Sequence, residues 1–449
     1  MSQVNFGSKL GMILATAGSA VGLGNIWRFP TTAGENGGAA FILVYILFTL
    51  LLGLPGMLGE FLVGRSGGGN ALHSYAKAGR NRLWGLTGVM GMFCSAIILG
   101  FYSVVAGWCL FYLFQAVCDN VLGDRAFIQS EFNALVAHPW LPAVISVAFI
   151  FFTHAIIVRG VQRGIEKASK AMMPMLFVLM LLLIIASCSL PGAMKGITFL
   201  FKPDFSKLTA DVMYEAIGQS FFSLSLGTAC LCTYAAYFRK EVNIFKSAVQ
   251  VAGIDCGVAI MAGLMIFPAA FAVGLQPDAG PSLIFQTLPY VFQQAFPHTV
   301  AYVVSIIFFA LLTLAALTST ISMHEIGTSL LSEEMRLSRR AAALMVTLFC
   351  SVIGILSALS MGPCPMGFFG DTLFGNFDSL TSNILLPFGA FVTSLLVGWR
   401  MPKDVIMEEL TSGGRYPWAR WAFGTFLFLV RFFVPACIAV IILSRFGAI

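Results

Sequence analysis

The sequence predicts an all-α integral membrane protein of about eleven spans, and three observations predict it. Of 449 residues, 58% are hydrophobic and only 10% are charged, with a mean hydropathy of +0.88. A soluble fold of this composition would lack the polar groups to cover its own surface. Apolar runs of about 20 residues, the length that crosses a bilayer, recur from end to end. Two of these runs are broken at mid-span by glycine and serine. The segments between runs are short, so the chain 1–449 reads as a single transmembrane domain with no soluble domain.

In chain order, the spans are expected at roughly 9–29, 39–63, 84–118, 140–158, 168–190, 212–237, 243–275, 298–331, 341–359, 379–399 and 418–444. Span one runs into GSAVGLGNIWRFPTTAGENGG, residues 18–38, with its break expected over Gly18–Gly24. Span two carries a carboxylate, Glu60. Span five places Pro174 ten residues after Gly164. That pair reads either as a cap at the span's start or as a segment able to unwind. Span six contains SFFSLSLGTA, Ser220 to Ala229, where serines can satisfy freed backbone groups. Span seven holds Asp255, and an intramembrane carboxylate is a functional candidate by default. Span eight contains LTST, residues 317–320, whose hydroxyls either bond back to their own helix or face a ligand.

Lys and Arg set the orientation. One side collects Lys9; Arg65, Lys77, Arg80 and Arg82; Arg159, Arg163, Lys167 and Lys170; Arg239, Lys240 and Lys246; Arg336, Arg339 and Arg340; and Arg400, Lys403, Arg415 and Arg420. The other has Arg125, Lys195, Lys202, Lys207 and Arg445. The N-terminus is therefore expected in the cytoplasm and, with an odd number of spans, the C-terminus outside. The same bias accounts for the net charge of +6 without a nucleic-acid partner. Ala15-Thr16-Ala17 has the spacing of a signal cleavage site, but the chain stays apolar beyond it, so no cleavable signal is expected. The ten cysteines fall mostly in apolar spans, and Cys230-Leu231-Cys232 is too tight for a metal pair; they read as small buried hydrophobes. Segment 119–139 has no cysteine and no Asn-x-Ser/Thr sequon, which points to a bacterial inner membrane.

Backbone without helical hydrogen bonds is tolerated in a bilayer only where it is buried in protein or lines a wet cavity. Small residues also permit plain close packing. Two breaks five spans apart instead mark the binding site of a transporter built from inverted repeats. Half-helix N-termini then face anionic groups, and freed carbonyls face cations.

On AVGLGNIWRFP, ENGGAAFILVY, SFFSLSLG and LAALTSTIS, in this order and spacing along essentially the whole chain, the sequence resembles the neurotransmitter:sodium symporter family. It looks most like the bacterial amino-acid transporters of the leucine-transporter type. The resemblance implies a five-plus-five inverted repeat with spans one and six unwound. Repeat one would cover about 9–190, repeat two about 212–399, with an additional span at about 418–444. It implies sodium-coupled import of a neutral L-amino acid by alternating access, in a lipid bilayer, by a monomer or weak dimer.

By the same resemblance, two sodium ions are carried. The first would be held by the Ala20 carbonyl, Asn25, Ser223, Asp255 and the substrate carboxylate. The second would be held by the carbonyls of Gly18, Val21 and Ala315 and the hydroxyls of Thr318 and Ser319. Many relatives have Asn where this chain has Asp255. Chloride-dependent relatives have a serine one helical turn later, where this chain has Ala259, while Tyr45, Gln219 and Ser223 match the rest of their chloride site. Asp255 is therefore expected to supply the negative charge, and chloride is not expected.

The substrate is expected against Ala20, Gly22, Gly24, Ile98, Tyr102, Phe222, Ser223, Ser225, Thr228, Ser319 and Met323. Monoamine carriers of the family have an Asp at the position of Gly22, so an α-carboxylate is expected here instead. No side chain of this set is aimed at a charged substrate group, which favours an apolar one. Thr228 stands where the leucine transporter has a bulky aromatic, so larger or aromatic amino acids are expected to fit; Ala229, at a usual glycine, would stiffen the break. Arg28 and Asp378 resemble the extracellular gate pair, with Tyr102 and Phe222 as the lid below. Glu60 matches a carboxylate that supports the span-six break, and Gly164 with Pro174 matches the family's unwinding segment. Glu333 matches the acid of the cytoplasmic gate, but Gln3 stands at its arginine. Lys9, or packing through Phe6, is left to close that side.

Two other readings stay open from the sequence: a sodium-binding amino-acid sensor, and a proton-coupled carrier of the same fold. An enzyme does not: His324-Glu325 resembles the start of a zinc-protease motif, but Thr328 and Ser329 stand where its second histidine should fall.

Overall fold

A computed structural model describes residues 5–274, 283–362, 364–368, 370–417 and 420–445; Gln3 and positions 275, 418 and 419 of the expected spans lie outside them. The described residues form helices and turns, with no strand among them. Eight helices are long and apolar enough to cross a membrane, or up to ten when each of two bent pairs counts as one span. Span one is such a pair, Lys9–Ala20 and Gly24–Glu35, bent by 52°. The remaining expected crossing, span six, is split into Ala210–Ser223 and Cys230–Ala236, each too short to cross alone.

The uninterrupted spans are Ala39–Gly67, Arg82–Val117, Val161–Cys188, Ile244–Ala272, His298–Glu334, Arg339–Met361, Leu373–Arg400 and Trp421–Leu443. Span four, Leu141–Ile157, follows an amphipathic helix, Arg125–Ala137, at 77°. That helix, with the short helices Ala71–Ala78, Met194–Phe201, Leu288–Ala295 and Lys403–Thr411, falls where the sequence suggested connecting segments. Several start at ordinary polar caps: Asp124 accepts from Phe127 N, and Asn70 from His73 N. The expected boundaries therefore erred mainly by stopping at the apolar edge, although helices continue into polar sequence.

Burial separates centre from edge. In span three, 67% of the most apolar window is buried, against 33% in spans five and eleven. Val178, Leu181, Leu182 and Ile185 of span five are exposed, as a lipid-facing surface requires. At the centre, small residues let helices approach: a Cβ at Gly107 would come within 3.0 Å of the span-four backbone at Ser146, and Ser103 and Ser146 join their hydroxyls at 2.5 Å. Spans one, three, six and eight meet there, and both breaks lie between them.

Span five departs from the unwinding reading. It is helical throughout, with a wide turn over Val161–Glu166 and Pro174 inside the following helix. Both breaks are narrower than expected. Span one is non-helical at Val21 and Gly22, and span six over Leu224–Ala229.

Candidate functional site

Helix Lys9–Ala20 ends because its next amides turn elsewhere. Gly22 N donates to Asn25 Oδ1 at 3.2 Å and Leu23 N to the Tyr102 hydroxyl at 3.0 Å. The carbonyls of Gly18 and Ser19 thereby lose their helical donors. Ser225 Oγ donates to the Ser19 carbonyl at 3.2 Å, and Thr318 Oγ1 to the Val21 carbonyl at 3.1 Å. The break thus turns backbone oxygens toward spans six and eight.

The span-six break passes through left-handed backbone at Ser225 (φ +53°), Gly227 (φ +82°) and Ala229 (φ +60°). For the two non-glycine residues this costs about 1–2 kcal/mol each. Gly227 also needs the space, because a Cβ would strike the Leu386 carbonyl. Glu60, buried in span two, accepts from Gly227 N at 2.7 Å and Cys232 N at 3.3 Å. Its carboxylate takes up amides that the break would otherwise leave without partners.

At the first of the two clusters expected to hold sodium, the Asp255 carboxylate is wholly buried. It accepts from Asn25 Nδ2 (2.7 Å), Ser223 Oγ (2.8 and 2.9 Å) and the Tyr45 hydroxyl (3.0 Å). A carboxylate, a hydroxyl and an amide from spans one, six and seven thus converge beside the freed backbone. In the second cluster, Thr318 Oγ1 also lies 2.8 Å from the Ala315 carbonyl, and Ser319 Oγ lies 3.5 Å from that of Val21. Gly18 packs on Thr318: a Cβ there would lie 3.4 Å from Thr318 Cβ, in ordinary contact. Apart from the Asn25 amide nitrogen, these groups are hard oxygens, which suit a small cation of low charge.

Between the clusters lies a cavity of about 50 Å³. Every residue expected to contact substrate lines it, and so do Ser19, Cys230, Ser322 and Leu386, which sequence reasoning missed. Cys230 and Ser322 read as generic small packing residues, and nothing in their types singled them out. Gly22 is needed for space, not conformation: its φ is outside the left-handed region, but a Cβ would strike Ser319 Oγ. Tyr102 and Phe222 also line a second, larger cavity of about 170 Å³ with Arg28 and Asp378, so the two rings divide it from the first.

The sequence profile described as the sodium:neurotransmitter symporter family matches residues 3–126 and 141–448. The chain belongs to that family. A Bacillus subtilis (strain 168) protein named "Uncharacterized sodium-dependent transporter YhdH" is 38% identical over 446 residues, 99% of this chain and 98% of its own. An "Uncharacterized sodium-dependent transporter" of Haemophilus influenzae is 33% identical, covering 98% of this chain and 97% of its own. The solved structure titled "Crystal structure of MhsT in complex with L-phenylalanine" matches with a TM-score of 0.90 and 38% identity, over 100% of both chains. This symporter is thus a sodium-coupled, multi-pass transporter and not an enzyme.

For a symporter, the closure of each face matters. Among the described residues, no ion pair joins Arg28 to Asp378. The Arg28 guanidinium lies 4.3 Å over the Phe222 ring, and Asp378 accepts from Ser382 Oγ at 3.0 Å. The two residues flank the larger cavity without closing it by a salt bridge. On the N-terminal face, Glu333 accepts from Asn70 N at 2.7 Å and Asn70 Nδ2 at 3.0 Å, and so caps helix Ala71–Ala78 instead of meeting a cation. Lys9 is exposed. Phe6 is buried among Tyr234, Tyr237 and Phe238, with centroids 6.0, 6.1 and 6.4 Å away. Of the two closures left open by the sequence, packing through Phe6 is present. Sequence reasoning missed Glu166, which binds the same segment; its one signal was an acid set among basic residues at the start of span five.

Proposed function

We propose that this symporter imports a neutral, apolar L-amino acid, aromatic ones included, together with two sodium ions and without chloride. It works by alternating access in a bacterial inner membrane, with its N-terminus cytoplasmic and C-terminus outside, as a monomer or weak dimer. Two repeats, about 9–190 and 212–399, build the transport core, and span eleven lies outside it. The observation that carries this reading is the cavity between the breaks, with ion-cluster residues in its wall. Gly22 leaves room for a carboxylate beside Tyr102, and the side-chain end is formed by Ile98, Thr228 and Met323. The L-phenylalanine named with MhsT supports an aromatic substrate. For chloride independence the support is Asp255, whose carboxylate already occupies the donors an anion would use.

The test is a thermal-shift screen of the twenty amino acids with sodium or potassium gluconate, followed by uptake into proteoliposomes. Large apolar amino acids should stabilise the protein only with sodium, and a sodium gradient should drive their uptake in chloride-free buffer. Uptake that follows pH and ignores sodium would overturn the reading, as would binding without uptake.

Ser319→Ala removes one of the hydroxyls beside the Val21 carbonyl. A buried cation left one oxygen short should lose about 1–1.5 kcal/mol. The sodium concentration for half-maximal uptake should rise roughly ten-fold, with the thermal transition in sodium-free buffer unchanged. The same sodium dependence as the parent would remove Ser319 from the second site.

A further inference from the structure

With Glu333 bound to Asn70 and Lys9 exposed, the N-terminal face is held by the packing of Phe6 and by a polar tie beside it. We propose that Glu166 is this latch and that its release opens the path from the central cavity on that face. The proposal rests on the transport reading above. Glu166 stands at the start of span five, and its side chain is only 3% exposed. Its carboxylate accepts from Gly7 N (2.6 Å), Ser8 N (3.1 Å) and Ser8 Oγ (2.8 Å), and pairs with Lys170 Nζ (2.7 Å). Those amides lead into helix Lys9–Ala20, at whose start backbone N–H groups lack helical partners and the dipole favours an anion. A buried carboxylate meets both demands.

Geometry makes this contact more than a cap. Helix Lys9–Ala20 is a rod about 18 Å long at 1.5 Å per residue. One end is held by Glu166. Just past the other end, the Val21 carbonyl accepts from Thr318 Oγ1 in the second cluster, next to the 52° bend of span one. The rod is therefore clasped at both ends, by a carboxylate and by the oxygens proposed to bind sodium. Gly11 fits the same design: a Cβ there would strike the Glu166 carboxylate. Span five offers a place to yield next to the latch, since Gly160 has φ +85° and leads into the wide turn ending at Glu166. Other ties of the segment include Gln162 Nε2 to the Asn5 carbonyl (2.7 Å), Arg239 to the Gly7 carbonyl (3.3 Å) and Phe6 N to the Tyr237 carbonyl (3.2 Å). They hold carbonyls and Phe6; the amides of Gly7 and Ser8 depend on Glu166.

Two variants reach the latch by opposite routes. Glu166→Gln keeps an acceptor oxygen and removes the charge. Gly11→Ala keeps the glutamate and pushes its carboxylate aside. Purified full-length proteins are compared in sodium-free buffer by hydrogen exchange of residues 5–12 and by alkylation of Cys230, which lines the central cavity and is 2% exposed. Fragment-ion mass spectrometry separates Cys230 from Cys232 on the same peptide and from the other cysteines. Both variants should exchange and alkylate at least about ten-fold faster than the parent, as expected for loss of hydrogen bonds to a buried charge. Sodium gluconate should restore most of the protection by tightening the other end of the rod. Lys170→Ala removes a 41% exposed partner and should change either rate less than about two-fold. Parent-like rates in both variants would overturn the latch. So would faster exchange at residues 5–12 with Cys230 still protected, since that is a frayed terminus and no gate. A parent without sodium-driven uptake would instead sink the transport reading, and these rates would still decide the latch.

Discussion

Asp255→Asn is expected to reduce sodium-driven uptake in chloride-free medium by at least about ten-fold. The carboxylate is buried and accepts from Asn25 Nδ2, Ser223 Oγ and the Tyr45 hydroxyl. An asparagine presents an NH₂ to this set of donors. The hydroxyls of Tyr45 and Ser223 can turn to accept from it. Asn25 can do so only by flipping its amide, which gives up the bond from Gly22 N at the span-one break. Losing hydrogen bonds to a buried charge costs about 1.5–3 kcal/mol. The missing charge matters as much: a unit pair 4 Å apart interacts by about 4 kcal/mol at an effective dielectric of 20. A second change checks that charge is the cause. Ala259 is wholly buried one helical turn beyond Asp255, and Gln219 Oε1 is buried without a hydrogen-bond partner. In Asp255→Asn/Ala259→Ser, the new hydroxyl joins Tyr45, Ser223 and Gln219 around the position that has lost its charge. Uptake by that double variant should return when gluconate is replaced by chloride, and uptake by the single variant should not. Normal chloride-free uptake by a monodisperse Asp255→Asn protein would refute the charge role.

The sequence made the broken spans legible because a bilayer penalises free backbone so heavily that glycine and serine at mid-span carry a strong signal. The cavity wall was foreseeable down to single residues such as Ile98 and Met323 only through the family resemblance, since both lie in unbroken spans. The edges of the site were less legible. Ser322 and Cys230 face the cavity because of helix rotation, which residue type does not reveal in spans apolar on all sides. Leu386 reaches it from span ten, where no motif pointed. Glu333 has the right chemistry for a gate, but a closer demand, the open N-terminus of helix Ala71–Ala78 at Asn70, takes its carboxylate. Glu166 was hidden the opposite way. Its partners are backbone amides, which every residue has, so no sequence pattern marks the pairing. The gate pair and the span-five unwinding depend on conformation: Arg28 stacks on Phe222, and Gly164 and Pro174 lie in helix, so one sequence motif does not fix which state is seen.

Gly22→Asp is expected to abolish amino-acid binding, a loss of more than about a hundred-fold. Two effects combine, and the structure separates them. The first is steric: any Cβ at this position strikes Ser319 Oγ and lies 3.1 Å from the Tyr102 hydroxyl. Tyr102 in turn receives Leu23 N at the break, so displacing it disturbs the backbone there. Gly22→Ala carries this cost alone, because the backbone of Gly22 is not left-handed and tolerates a side chain's conformation. The second effect is charge. An aspartate would face the substrate carboxylate across a largely dry cavity, where like charges about 4 Å apart cost roughly 4 kcal/mol at an effective dielectric of 20. Binding should therefore fall in the order parent, Gly22→Ala, Gly22→Asp, with the charge accounting for the step between the variants. Decarboxylated amines, phenethylamine first, should show the reverse preference and bind Gly22→Asp better than Gly22→Ala, since the new carboxylate pairs with their ammonium group. Isothermal titration of monodisperse proteins in sodium gluconate measures each step, and sodium-dependent thermal stabilisation confirms that the ion clusters survive. Equal losses in the alanine and aspartate variants, with no gain for phenethylamine, would mean that Gly22 is needed only for space and that the substrate carboxylate lies elsewhere.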